Sequence, residues 1–583
     1  MKKFLLRSIA FIAAATASAA GAADMPSIVP VYQPPPLTAP VWNWTGGYAG
    51  VHVGGLWGET NFSDPLGASV FGDKVATPGF LGGVQTGYNW QAPHTRWVFG
   101  VEADLSGLAA AGTNTCLASS GYFLSANCRA QPNVSATVTP RIGYAFDPDK
   151  RTLFYLKGGF AAVRDQIDIA TNALAASPFE SGGTIWKLGW TAGAGVERAL
   201  TPAWSLRFEY DYLSFGATNV ATPPSFLQVI PGDPAGYLPT AAATSAVSQN
   251  IQEVKLGLNY RINMDPSAYW AADSAATLNS PLAPVIVSWL GGWEVEIGAR
   301  YWYSSGKFQK DLGATTTGAT ANFLVSRLTY DSIANSGEVF ARVESPDKLF
   351  VKGFIGTGDL SGGHMNDEDW LIFSDSVPYS NTLSNPVNGT IAYATGDVGY
   401  DVFRAADYRL GPFIGYNYYR EKEDAYGCVQ IANPFSDCVP AIPSSVLTIS
   451  ENDTWNSLRV GVNGEVTLLP SVKLSADVAY LPFTQFNGVD IHWQRTDVTN
   501  QTSPESGKGS GVQFETMLSY YITPAFNVGV GGRYWAMWTS SDSYTNIFST
   551  NCPCQTEPVK TERFGLLVQA DYKFDMPIAR GAR

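Results

Sequence analysis

Along much of the chain apolar and polar residues alternate one by one. Leu206-Arg-Phe208-Glu-Tyr210-Asp-Tyr212 is one such run, and Val254-Lys-Leu256-Gly-Leu258-Asn-Tyr260-Arg-Ile262 is another. Alternation sends successive side chains to opposite faces of a β-strand. One set here is large and aromatic; the other is charged or small. A soluble sandwich shows such alternation too, but its strands are commonly about five or six residues long. These runs approach about ten, the length a tilted strand needs to cross a bilayer. About eight runs fill residues 44–263, starting near Trp44, Gly79, Trp97, Asn133, Thr152, Thr184, Trp204 and Gln249. Short connections (QAPHTR, DPDKR, LTPAW) take turns with long ones (59–78, 113–132, 172–183, 217–248). The alternation lapses over 264–290, which is rich in Ala, Ser and Pro, and resumes at Trp293-Glu-Val295-Glu-Ile297. About ten further runs reach Phe574, with short turns at ESPDKL, RAADYR, LLPSV and ITPAF.

The pattern predicts an all-β chain of two tandem antiparallel transmembrane β-barrels, about eight strands and then about ten. The rival is one barrel of about eighteen strands, a porin; the patternless 264–290 segment argues against it. An even-stranded first barrel returns the chain to the side where it began. The second barrel then starts on that side, and its odd strands run outward.

The N-terminus changes the compartment. MKKFLLR is a positive region, SIAFIAAATA an apolar run and ASAAGAA a small-residue stretch, the layout of a secretory signal peptide over 1–23. A proline-rich linker follows over 24–43. The expected order is then a small barrel at 44–263, a linker at 264–290, a second barrel at 291–575 and a tail at 576–583. After the leader no stretch of about 18 apolar residues suggests a membrane helix. Charged residues are only 15% and aromatics 13%, as a lipid-facing β surface requires. The net charge of −13 argues against a nucleic-acid partner. Six cysteines fall in close pairs, Cys116/Cys128, Cys428/Cys438 and Cys552/Cys554. They lack zinc-site spacing and read as loop disulfides of an exported chain; no metal site is expected.

Two short stretches carry candidate chemistry. GGHMNDEDW, after the third strand of the second barrel, places Asp367 and Asp369 two residues apart around Glu368. VDIHW, at the outer end of the seventh strand, places Asp490 two residues before His492. Two apart on an extended strand, such a pair shares a face, and a carboxylate beside an imidazole is the minimal orienting pair of a general base. Taken alone, D-x-D reads as a solvated acidic loop and D-x-H as chance. Their conjunction at one predicted mouth raises both, with Glu368 expected to point away. Strict alternation from Tyr480 puts Asp490 and His492 on the lipid face, so a bulge is expected at Pro482 or Gly488. His364 reads as a bystander, and His52 and His94 as structural.

The second domain resembles the omptin family, outer-membrane barrel proteases of about ten strands. The likeness spreads over 293–574, through SSGKFQKDL, SRLTYDS, FVKGFIG, GGHMNDEDW, YRLGPFIGYNYYR, D-I-H and SYYITPAFNVGV. It implies a surface endopeptidase in the outer membrane, with its active loops facing outside. Asp490 and His492 on one side, and Asp367 and Asp369 on the other, would activate water to hydrolyse a peptide bond. The family's substrate pocket falls on Lys310, Asp311 and Gly488, where the basic specificity of relatives is not matched. Arg420 falls where the family contacts lipid phosphate. Outer-membrane lipid, lipopolysaccharide and a peptide or protein substrate are the implied partners. No cofactor is expected beyond a lipopolysaccharide requirement. The opening NWTGGYAGVHVGGLWG of the first domain resembles the small opacity-like surface barrels; a barrel of about eight strands fills its interior with side chains, so no open pore is expected. The competing reading is a non-enzymatic structural protein or adhesin on the same fold.

Overall fold

The computed structural model describes residues 42–64, 72–93, 95–117, 126–147, 149–171, 180–228, 237–262, 290–313, 324–369, 380–431, 437–495, 501–540, 544–545 and 555–576. The signal-peptide region, nearly all of both linkers, the tail after residue 576, His94 and the Cys552/Cys554 pair lie outside them. Among the described residues no helix is long and apolar enough to cross a membrane.

Eight long antiparallel strands form the first ring: β1 (Gly46–Phe62), β2 (Lys74–Gln91), β3 (Trp97–Ala110), β4 (Ala126–Ala145), β5 (Thr152–Thr171), β6 (Glu180–Ala199), β7 (Trp204–Thr222) and β8 (Ala243–Ile262). It closes where β1 pairs with β8, from Gly47 opposite Ile262 to Phe62 opposite Val247. Ten form the second: β9 (Leu290–Gly313), β10 (Leu324–Glu344), β11 (Leu349–Asp369), β12 (Val387–Tyr400), β13 (Tyr408–Gln430), β14 (Ile442–Leu469), β15 (Val472–His492), β16 (Thr502–Tyr521), β17 (Phe526–Thr539) and β18 (Val559–Met576). That ring closes where β9 pairs with β18, from Glu294 opposite Asp575 to Lys310 opposite Val559. Two separate closures replace the single large porin ring.

The strands are inside-out relative to a soluble protein. In the first barrel Phe160 and Leu188 are each 80% exposed, while Glu102, Arg207 and Glu209 are 0% exposed. Apolar residues face outward as a belt and charges face the lumen, which is the distribution a lipid solvent selects. Lumen charges must then satisfy one another. Lys157 Nζ on β5 lies 2.8 to 3.3 Å from carboxylates of Glu102 and Asp104 on β3 and of Glu209 and Asp211 on β7. Arg207 bonds Asp104 at 3.0 Å and also pairs with Glu102. The side chains thus fill the small barrel, as expected. The second lumen is filled differently. Trp302, Tyr393 and Trp535 pack with centroids 5.2 to 5.5 Å apart, above an Arg533–Glu338 pair at 2.7 Å. Two of the expected disulfides are present, Cys116–Cys128 and Cys428–Cys438.

Candidate active site

GGHMNDEDW is not the loop that the alternation suggested. Through Asp369 it continues β11, well beyond the lipid-facing Leu349, Val351 and Ile355. Below it, Leu360 faces the core; above it, Met365 does. Residues 360 and 365 have opposite parity, so the strand changes face between them. The change falls at Gly362 and Gly363, with φ of +80° and +107°, where the register against β10 slips between Ser332 and Ala334. This is a β-bulge, built on positive φ that glycine adopts without strain. A Cβ on Gly363 would lie 1.9 Å from the Asp331 carbonyl oxygen. The bulge turns Asp367 and Asp369 inward. Glu368 points away as expected, and its Oε2 accepts a 3.0 Å hydrogen bond from Thr115 of the first barrel. His364 is half exposed beside Asp331 and outside the cleft.

The second side of the site arises the same way. On β15, Asp477 faces the lumen and bonds Arg459 at 2.9 Å, so odd positions point inward there. The register against β16 then slips between Leu481 and Thr484, around Pro482, one of the two expected places. Beyond the slip the even positions Phe486, Asp490 and His492 are buried. Each half of the site therefore depends on one parity change above the apolar belt.

The two halves meet. Asp367, Asp369, Asp490 and His492 line one cleft at the long-loop end. Asp490 Oδ2 lies 2.8 Å from His492 Nε2, and Asp490 is 2% exposed. Burial raises the Asp367 carboxyl, and the neighbouring Asp369 charge adds to it, bringing it to about 8; burial likewise raises Asp369. Burial opposes charge on His492 too, but the Asp490 carboxylate, its hydrogen bond and Asp367 together lift the imidazole above its ordinary value. Burial opposes charge on Asp490, yet His492 and Lys310 hold it well below the usual carboxylate range. Two carboxyls that resist losing both protons therefore face a strengthened base.

Lys310 lies at this site, with Nζ 2.9 Å from Asp490 Oδ2. Asp311 does not. Alternation turns it to the opposite face of β9, where its carboxylate bonds Arg327 at 2.6 Å and Thr113 at 3.0 Å. Gly488 lies below Asp490, inside the barrel. Arg420 is exposed, on the outward parity of Ile414 and Tyr416, with Nε donating to Asn452 at 3.0 Å. Sequence reasoning missed Glu451, Asp453, Glu505 and Glu557, all buried around Lys310. The signal was available in Glu451-Asn-Asp453, a carboxylate pair with strand spacing near the end of a long run, like D-x-D.

Residues 348–552 match the Omptin family, and residues 9–229 match the outer membrane protein beta-barrel domain. The chain is similar to the 31 kDa outer-membrane immunogenic protein of Brucella melitensis, at 33% identity over 273 residues, covering 45% of this chain and 100% of that protein. It is also similar to the 25 kDa outer-membrane immunogenic protein of Brucella abortus, at 28% identity, covering 37% of this chain and 87% of that protein. Among solved structures it is similar to the outer membrane protease OmpT from Escherichia coli, at 16% identity and a TM-score of 0.40, covering 48% of this chain and 97% of that chain. The chain belongs to the β-barrel proteins of the bacterial outer membrane, with a first barrel related to the outer-membrane immunogenic proteins, and part of its second barrel matches the Omptin family.

Proposed function

We propose that the second barrel is a surface endopeptidase that activates water between the Asp490–His492 pair and the Asp367–Asp369 pair. The observation that carries this reading is the convergence of all four side chains on one cleft. Asp490 fixes the imidazole and stabilises its charged form. His492 takes a proton from water, and the hydroxide attacks the carbonyl carbon. The Asp367–Asp369 pair keeps one proton between them near neutral pH, which lets the pair both accept from the water and donate to the substrate. Collapse of the tetrahedral intermediate breaks the C–N bond, and the imidazolium returns its proton to the leaving amine. No acyl-enzyme forms. The long loops and the cleft face outside, with short turns inside, as in outer-membrane barrels generally. Arg420, exposed on the outward face of β13, would meet a lipopolysaccharide phosphate. The first barrel is an anchor and surface module.

The test is cleavage of a fluorogenic peptide library by the refolded full chain with lipopolysaccharide. Turnover that disappears in His492→Ala, with the barrel still folded, supports the reading. Turnover that persists in both Asp490→Ala and His492→Ala refutes it, and folded protein that cleaves nothing favours the adhesin or envelope-structural role.

A further inference from the structure

The stretch of β11 that carries Asp367 and Asp369 is clasped from behind by the other barrel. On β10 and β11, Ser326, Leu328, Asp367 and Asp369 line the cleft. The positions between them face the other way. Asp311, Arg327 and Glu368 form one row across β9, β10 and β11, with Arg327 in register with Asp311 on one side and Glu368 on the other. All three are buried, Arg327 to 0% exposed, and such residues are rarely buried unless paired. The cover is a hairpin of the first barrel, the short strand Gly112–Cys116 paired with the start of β4. Thr115 and Asn127 lie opposite one another in it, and the Cys116–Cys128 disulfide staples the chain beside both. Thr115 Oγ1 accepts from Arg327 Nη1 at 2.9 Å and donates to Glu368 Oε2 at 3.0 Å, so its hydroxyl works in both senses. Arg327 Nη2 also donates to Asn127 Oδ1 at 2.8 Å, while Nε holds Asp311 at 2.6 Å. Along the facing walls Trp57 packs on Tyr534 and Phe80 on Tyr480, with ring centroids 5.7 and 5.5 Å apart. The hairpin is therefore carried by a barrel seated against the second one.

We infer that the first barrel positions the acids of the second: its Thr115 grips Glu368 and so holds Asp367 and Asp369 toward His492. This rests on the protease reading above. Neighbouring side chains leave a strand in opposite directions, so β11 cannot roll about its axis and swing the two acids aside without breaking the grip on Glu368. The grip acts just beyond the Gly362–Gly363 bulge, where the register with β10 is interrupted. Thr115 and Glu368 are positioning residues, outside the cleft and acting through the backbone between the acids.

The experiment compares the refolded full chain, with lipopolysaccharide, against Thr115→Val, which loses the hydroxyl, and Thr115→Ser, which keeps it. Heat-modifiable migration on gels checks that the barrels are folded. Thr115→Val is expected to lower kcat by about tenfold or more with KM changed by less than about twofold, since the acids are misplaced while the substrate still binds. Thr115→Ser should stay within about twofold of the parent. Glu368→Ala should fall as Thr115→Val does, and the double variant should fall no further, because both changes break one contact. A Thr115→Val kcat within about twofold of the parent, equal losses in Val and Ser, or losses that add in full in the double variant overturn the inference. Hydrogen exchange of the 364–369 backbone amides, followed by mass spectrometry, reads the grip without turnover. If the parent cleaves no peptide, the protease reading falls. Exchange about tenfold faster in Thr115→Val than in the parent and Thr115→Ser then still supports the grip, and equal exchange in all three rejects it.

Discussion

Each barrel buries a histidine inside, and the two are bonded in opposite ways. His52 in the first barrel has both ring nitrogens engaged by neutral groups, Nδ1 with Gln85 at 2.6 Å and Nε2 with Ser106 at 2.8 Å. His492 is bonded at the ring only by a carboxylate among the described residues. The surrounding charges differ in the same sense. Lumen acids of the first barrel are met by Lys157, Arg207, Arg141 and Lys255. Around the second barrel's mouth Asp367, Asp369, Asp490, Glu451, Asp453 and Glu505 share few cations. Matched charge fills a lumen; unmatched charge, held by the fold, shifts proton affinities and prepares chemistry.

The contrast breaks first at the dyad. Asp490→Asn should lower kcat by about 10⁴-fold, because the imidazole loses its orienting charge, and His492→Ala should do at least as much. His52→Ala should leave peptide cleavage unchanged. Loss of cleavage in the His52 variant with the barrels intact would erase the distinction.

Deleting Gly362 tests how the acids came to face inward. Removing one residue restores strict alternation on β11 and turns Asp367 and Asp369 outward. Cleavage should fall by about 10²- to 10⁴-fold, while heat-modifiable migration shows that the ring still closes. Nearly full activity after the deletion would mean that the bulge does not orient the pair.

A pH profile sharpens the comparison by a smaller margin. A general base must be neutral, and the His492 proton is held more tightly than in a free imidazole. The acid limb of kcat/KM should therefore lie above about pH 6.5, and residual activity of Asp490→Asn should move it down. A limb below that value in the parent contradicts the arrangement.

The smallest effect concerns stability. Asp367 is raised from 3.8 to about 8 in the folded barrel, so the native state holds a proton that the unfolded chain has lost. Stability then falls as pH rises between those values. Asp367→Asn removes this loss and should unfold a few degrees higher than the parent near about pH 8, with no difference near about pH 4. Equal unfolding temperatures at the higher pH would show that Asp367 ionises freely.

The fold was legible because outward-facing apolar residues and inward-facing charges alternate strictly, and because turns such as DPDKR and ITPAF punctuate them. The two carboxylate-bearing pairs were legible for the same reason, since members of D-x-D and D-x-H must share a face. The same rule shows why Lys310 and Asp311 are parted: neighbours on a strand cannot both face the lumen. The Gly362–Gly363 bulge was harder to see. Two glycines before an acidic stretch read as a loop, and only the register against β10 shows them to be a parity change within a strand. The acidic cluster around Lys310 was hidden because Glu451, Glu505 and Lys310 meet across the ring from β14, β16 and β9, a proximity set by closure and shear, not by spacing along the chain.

Lys157 has a consequence for biogenesis. Its ammonium on β5 is neutralised by acids from β3 and β7, neither of them its neighbour in the ring. No single hairpin can enter lipid with that charge satisfied, since the hydrocarbon offers no counter-ion or water. Insertion and ring closure of the small barrel must therefore be a single concerted event, and an assembly intermediate stalled before β7 joins would have to wait at the aqueous surface of the membrane.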